Sequence, residues 1–443
     1  MPDMLFTTDA MRAVFSDRMR IQRMLDFEGA LAQAEASVGV IPQGAADAIS
    51  TECNAGRFDP AALAAAARSA GNLAIPLVAA LTRNVGATDP VARGYVHWGA
   101  TSQDVIDTGL VLQLRDALGL IDADVGHLAA ALAVQARRHA MTVLAGRTWL
   151  QQAIPVTLGV KLAGVVSALD RHRARLSQLR DRALVLQFGG AVGTLASLGE
   201  RGIEVSEALA ARLALPLPDL PWHTQRDRVC EVAAVLGMLA ATLGKLARDL
   251  ALLAQTEVAE VFEPAVPGRG GSSTMPQKRN PVGASVAIAA ALRVPGLVAT
   301  MLTAAAQEHE RGLGNWPAEW ETLPEIALLV AGSLSAMADV APGLDVDADR
   351  MRANLELTQG QVYAEAVQMA LATTLGRDRA HALVADACRR AASEGIHLRE
   401  LLRGIPEVAT ALDAATLDRA FDPAGYLGES RRYIERALAA HPA

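Results

Sequence analysis

The chain has 443 residues and a formal net charge of −7, so it lacks the basic footprint of a nucleic-acid binder. Hydrophobic residues make up 51% and aromatic residues only 4%, which disfavours β-sandwich and barrel classes and leaves ample material for a helical core. Three scattered cysteines, Cys53, Cys230 and Cys388, argue against a disulfide framework and a cysteine zinc site, and suit a reducing compartment.

The opening stretch, MPDMLFTTDAMRAVF, has no basic region followed by an apolar core, so no signal peptide is read there. The longest run without Asp, Glu, Lys or Arg, Ala183 to Gly199, holds 17 residues and four glycines. That is short of the roughly 20 apolar residues of a membrane span, so a soluble, cytoplasmic protein is expected, with no membrane partner. Residues 1–104 read as short helices with frequent breaks. Met19 to Val38 is alanine-rich and helical, ending near Gly39, and Gly71 and Pro76 interrupt the next pattern. The segment VHWGATSQD (96–104) is polar and leads into a helix. Thr101 or Ser102 suits its cap, with Asp104 near the positive end. On these residues alone it is a helix start.

The middle of the chain repeats apolar residues at spacings of three and four. Val111, Leu114, Leu118, Ile121, Val125, Leu128 and Leu132 form one seam, and Leu158, Leu162, Val165, Leu169, His172, Leu176 and Leu179 a second. Val229, Val232, Leu236, Leu239, Leu243, Leu246, Leu250 and Leu253 form the third. Such seams predict long helices in a bundle, shared between subunits. His172, on a seam, is read as a packing residue. Pro281 to about Ala306 reads as another apolar helix, strained at Pro295. The polar segment Gln307–Trp316 follows, then a helix from Leu323 towards Met337. Residues 356–443 read as a small, charged helical domain broken at Gly376, Gly395, Pro406 and Pro423.

Between the long helices lies PGRGGSSTMPQKRNP (267–281), too rich in glycine and proline for regular structure and dense in reactive side chains. Asn280-Pro281 fits an N-cap followed by proline at the first helical position, so a helix should start near Val282. Its free N–H groups, beside Lys278 and Arg279, make a natural carboxylate or phosphate site. An ordinary capped helix after a surface loop is an equally open reading. The lack of a terminal Gly-Lys-Ser/Thr argues against a P-loop.

GSSTMPQKRNP resembles the GSSxMPxKxNP signature of the fumarase/aspartase superfamily of lyases, and HWGATSQDVIDT looks like that family's first shared region. The resemblance implies an all-α fold of three domains: residues 1–104, a long central bundle at 105–355 and a small helical domain at 356–443. It also implies a homotetramer whose sites combine segments near Thr101, Gln151 and Ser272 from different subunits. The implied chemistry is reversible β-elimination through an aci-carboxylate, with Ser272 as the base, Lys278 and Asn280 stabilising the dianion, and Thr101 and Ser102 contacting a substrate carboxylate. No cofactor or metal is implied, and His97, His223 and His309 share no ligand spacing.

One departure narrows the reaction. Trp149 stands where many family members carry a histidine implicated in acid chemistry, while Gln151 fits the pattern. A second family histidine is missing near Ser69–Asn72. An amine or hydroxide leaves poorly without a proton, but a carboxylate leaves readily, its conjugate acid having a pKa of about 4. Together with GRTWLQQAIPVTLG, WHTQRDR and HERGLGNWPAEW, this resembles the muconate-lactonising branch of the family, which serves aromatic degradation. The implied substrate is a small tricarboxylate. Its cations are expected among Lys278, Arg147, Arg226 and Arg311, with Arg269 behind them, although each alone is more often a structural arginine. Trp149 and Gln151 complete the expected substrate-binding set. Two other readings stay open: an adenylosuccinate- or argininosuccinate-type lyase releasing fumarate, and a catalytically silent helical scaffold.

Overall fold

The structure, a computed structural model, describes residues 5–441. The elements that matter for function are helix α1 (Asp17–Ser37), helix α2 (Ser102–Arg138), strands β1 (Val143–Thr148) and β2 (Gln151–Thr157), and helices α3 (Leu158–Arg182) and α4 (Asp227–Leu253). They are followed by strand β3 (Val261–Phe262), helices α5 (Val282–Ala304) and α6 (Asn315–Val340) and strand β4 (Asp345–Val346). Every apolar residue of the three predicted seams is buried. His172 is buried too, its Nε2 2.8 Å from the Thr242 hydroxyl, and burial pushes its pKa down to about 4. A neutral ring with one hydroxyl partner is a packing residue.

Two compact units are present. One takes the chain up to Val125 together with Arg171–Gly244 and Val286–Ser335. In it, α1 is capped by the Ser16 hydroxyl and ends before Gly39, close to its expected bounds. Pro76 does not interrupt its helix. It lies in the first turn of Ala74–Thr88, where the N–H it lacks has no intrahelical partner. Helix α6 begins eight residues before the predicted Leu323, at Asn315. Its first turns bury Glu319, an ion-paired carboxylate, and a polar residue on the inner face hides the apolar period.

The other unit takes Gly126–Asp170, Lys245–Ser285 and the chain from Ala336 on. The described chain is mostly helical, as the all-α reading expects, and this unit adds two short strand pairs. β1 and β2 form an antiparallel hairpin, Val143 facing Thr157 and Thr148 facing Gln151, and β3 pairs with β4. The hairpin's two-residue turn is Trp149-Leu150, with φ of 53° and 64°. Positive φ at both positions is the geometry normally announced by Asn-Gly, so the sequence carries no turn signal at this point. Val143 and Ala145 pack into one core with Leu355, Val367, Leu383 and Leu402, which anchors the hairpin's base to the C-terminal helices.

Candidate active site

The first shared region lies wholly in the first unit. Helix α2 starts at Ser102, which makes Thr101 its N-cap, and the Asp104 carboxylate reaches back to the Thr101 N–H at 3.0 Å. This is one half of a capping box, the half in which the third helical residue reaches back to the cap. Asp104 does more than cap. Sealed from solvent, it also accepts from the Gly189 and Gly190 N–H groups at 3.0 and 2.9 Å and from Gln187 at 3.1 Å, and sits 2.8 Å from His223 Nε2. The turn bearing Thr101 and Ser102 is thereby tied to the glycine loop at 189–193. A side chain at Gly190, whose φ is +67°, would meet the Gly99 carbonyl at 2.9 Å, so only glycine allows the two loops to approach this closely. Arg311 joins the same cluster by donating to the Ala191 carbonyl at 3.0 Å, and Thr224 donates to the His309 carbonyl at 2.9 Å. Thr101, Ser102 and Arg311 are brought together as loops around one glycine segment.

Arg226 is the correction in this unit. It is 1% exposed, its donors bonded to Asp107 at 2.7 and 3.2 Å and to Glu319 at 2.6 to 3.2 Å, with the Trp222 ring 4.7 Å away. Burial opposes its charge, but the two carboxylates outweigh burial and hold it protonated. A cation so sealed and answered on both sides has nothing left for a ligand. Arg226 is a structural tie between α2, the Trp222–Arg226 segment and α6, and not a substrate cation.

The second unit holds the other two regions. As expected, a helix (α5) starts at Val282 after Asn280-Pro281. The free anion site expected at its head is already occupied. The Glu263 carboxylate accepts from the Gly283 and Ala284 N–H groups at 3.1 and 2.8 Å, with Arg269 3.6 Å away. This intrachain carboxylate neutralises the helix end. Arg279 is engaged as well, donating to Asp345 at 2.8 Å and to the Glu263 carbonyl at 2.7 Å. The signature loop is closed at its base by Asn280 N–H to the Gly270 carbonyl at 2.8 Å. Gly270 has φ +71°, and a side chain there would stand 2.6 Å from the Asn280 carbonyl.

Inside that loop the Met275 N–H donates to the Ser272 hydroxyl oxygen at 3.1 Å and the Thr274 N–H at 3.4 Å. Two donors aimed at Oγ favour its alkoxide over its hydroxyl. Asn280 Nδ2 donates to the Gly271 carbonyl at 3.3 Å. Lys278 is exposed and pairs with no carboxylate among the described residues, so the loop offers one unanswered positive charge. The Phe262–Pro281 segment lines an open cavity of about 390 Å³ with Arg269, Lys278 and Asn280 on its wall.

The hairpin presents Trp149 at its tip, 96% exposed, with Gln151 exposed beside it. Arg147 is engaged too, but with one carboxylate and with a fifth of its side chain still exposed. Its guanidinium makes paired bonds of 2.9 and 2.7 Å to Glu260, which is fully buried and also held by Asn354 at 2.8 Å. The pair holds the hairpin to the residue that precedes β3. No hydrogen bond among the described residues joins Trp149 or Gln151 to Ser272 or Lys278. The residues that sequence reading did not single out as organisers, Asp104's glycine partners, Glu263 and the His97–Glu28 contact at 2.6 Å, depend on partners 20 to 86 positions away. Only the three-residue step from Thr101 to Asp104 was visible as a pattern.

Residues 4–296 match a family described as "Lyase", and residues 360–437 one described as "Adenylosuccinate lyase C-terminus". A 3-carboxy-cis,cis-muconate cycloisomerase from Pseudomonas aeruginosa is 60% identical over 441 residues, covering 100% of this chain and 96% of that protein. A crystal structure of 3-carboxy-cis,cis-muconate lactonizing enzyme from Pseudomonas putida superposes with a TM-score of 0.94 at 58% identity, covering 99% of this chain and 98% of that one. A nitrosuccinate lyase from Streptomyces davaonensis is 43% identical over 434 residues, covering 96% of this chain and 91% of that protein.

Proposed function

The chain belongs to the fumarase/aspartase superfamily of lyases and is a cycloisomerase within it, and from that premise we propose that it closes 3-carboxy-cis,cis-muconate to a lactone, a step of protocatechuate breakdown. One substrate carboxylate oxygen attacks a carbon of the conjugated diene and forms the new C–O bond. The displaced π pair moves to the carbon beside a second carboxylate, which holds it as a dianionic aci-carboxylate. Ser272 delivers a proton to that carbon and regains one from solvent, and in the reverse direction the same serine is the base. Lys278 and Asn280 stabilise the dianion, and Thr101, Ser102, Gln151 and Arg311 hold the carboxylates. The reaction uses no cofactor or metal.

The choice within the family rests on one observation. The hairpin tip presents Trp149, an apolar ring without a titratable proton, where the resemblance expects a histidine. A carboxylate leaving group does not need that proton. Purified protein mixed with 3-carboxy-cis,cis-muconate, without metal or nucleotide, should lose ultraviolet absorbance as the diene is consumed. Neither adenylosuccinate nor argininosuccinate should release fumarate at a comparable rate. A flat absorbance trace alongside rapid fumarate release from either succinyl compound would overturn the reading.

The assembly belongs to the same proposal. Among the described residues, four helices, α4 and α5 among them, are long and apolar enough to cross a membrane by length and composition. Leu292 and Leu302 of α5 are 69% and 57% exposed. Ion pairs such as Arg293–Glu325 and Lys245–Asp249 on these helices favour protein over lipid as the cover, since charges in a bilayer are costly. We assign that cover to further copies in a cytoplasmic homotetramer, each chain organised as segments 1–104, 105–355 and 356–443.

A further inference from the structure

A tricarboxylate brings three negative charges; the internal pairing of Arg226 removes one of the cations expected to meet them, and Arg147 shares its charge with Glu260. The first unit contains a replacement. His97 lies four residues before Thr101, on the loop that leads into α2, with φ +59°, a left-handed conformation that costs a non-glycine residue energy. Its Nδ1 is 2.6 Å from Oε1 of Glu28, which is 1% exposed. Its Nε2 makes no hydrogen bond among the described residues, and it is not among the polar atoms sealed from solvent. The ring is therefore fixed at one nitrogen and open at the other.

Behind this contact stands Glu35, on the same helix as Glu28. It is fully buried, and neither carboxyl oxygen has a partner among the described residues. Burial, with Glu28 as a lesser cause, raises its pKa to about 9, so at neutral pH it is an uncharged acid. Glu28 is left as the buried carboxyl group in contact with the ring. Burial opposes a charge on His97 too, but Glu28 outweighs it, Asp104 adds to the effect, and the imidazolium is favoured. The carboxyl groups acting on the ring are thus Glu28 from α1 and Asp104 from α2, with the neutral Glu35 behind Glu28.

We propose that His97, gripped by Glu28, is a substrate-binding cation that meets one carboxylate of the tricarboxylate through Nε2, beside Thr101 and Ser102. The proposal rests on the cycloisomerase reading. It accounts for a strained backbone at His97, for a histidine built into a carboxylate contact yet open at its far nitrogen, and for the missing arginine charge.

The test is steady-state kinetics on the full-length protein with 3-carboxy-cis,cis-muconate. His97→Gln keeps a polar side chain but no charge, and should raise KM by about 10- to 100-fold, the worth of one charge-assisted hydrogen bond, while kcat changes far less. Wild-type KM should rise on the alkaline side, as the imidazolium loses its proton, and His97→Gln should lack that limb. Glu28→Gln keeps the ring and removes its counter-charge, so the same limb should move to lower pH. A purely structural His97–Glu28 contact would change stability without moving the limb. An inactive wild-type protein would overturn the function and this proposal with it. An active wild type whose His97→Gln variant keeps KM, or whose alkaline limb stays in place in Glu28→Gln, would overturn the proposal alone.

Discussion

A serine hydroxyl is a poor base at neutral pH, and Ser272 can serve as one only where its alkoxide is stabilised more than its hydroxyl. The Met275 and Thr274 N–H groups aimed at Oγ provide that bias, and Lys278 adds an unanswered charge to the same loop. Ser272→Ala should therefore lower kcat by roughly two to four orders of magnitude, the usual range for losing a positioned proton-transfer group. KM should change little, because the loss falls in the transition state. Circular dichroism should be unchanged, since Ser272 is a loop residue with only local bonds. Near-normal turnover by Ser272→Ala would move the proton-transfer role to another group, with Ser273 the next to test. Ser272, Lys278 and Asn280 were legible in the sequence because one contiguous motif carries them. Asp104 and Glu263 were not, because their meaning comes from N–H groups 85 and 20 residues away.

At the scale of elements, periodicity revealed the long helices because burial of one face writes itself into the sequence every three or four residues. It could not reveal the β1–β2 hairpin, whose turn carries Trp149 and Leu150 at positive φ in place of glycine or asparagine. Arg226 was misread for a related reason. A charged residue in a polar motif looks like a ligand-binding group until its burial is known. In the fold it bonds to Asp107, which also accepts from Gln103 at 3.0 Å and from Trp316 Nε1 at 3.0 Å, and to Glu319, which accepts from Gln307 at 2.9 Å. One guanidinium thus ties α2 to the turn before α4 and to α6. Arg226→Met would leave two buried carboxylates unanswered and should cost about 3–5 kcal/mol of stability, seen as a lower urea midpoint. Unchanged stability with a KM defect alone would return Arg226 to the substrate site.

Over the whole molecule, the candidate residues are distributed between two compact units. Thr101, Ser102, His97 and Arg311 belong to one, and Gln151, Ser272, Lys278 and Asn280 to the other. Among the described residues, no hydrogen bond links the hairpin tip to the signature loop. The tip itself is costly to leave bare: Trp149 and Leu150 are 96% and 80% exposed, on a turn whose backbone neither residue prefers. Covering it with another copy of the chain would explain the exposure and bring Gln151 to a site whose Ser272 comes from a different subunit. Subunit mixing tests this directly. A Ser272→Ala protein and a Gln151→Ala protein should each be nearly inactive. After exchange of equal amounts, half of the sites receive an intact Ser272, and half of those an intact Gln151, so about one quarter of wild-type activity should return. If each site drew both residues from one chain, mixing would restore nothing, because every chain in the mixture lacks one of the two. A fully active monomer by light scattering would also end the shared-site account, since a lone chain has no second copy from which to borrow either residue.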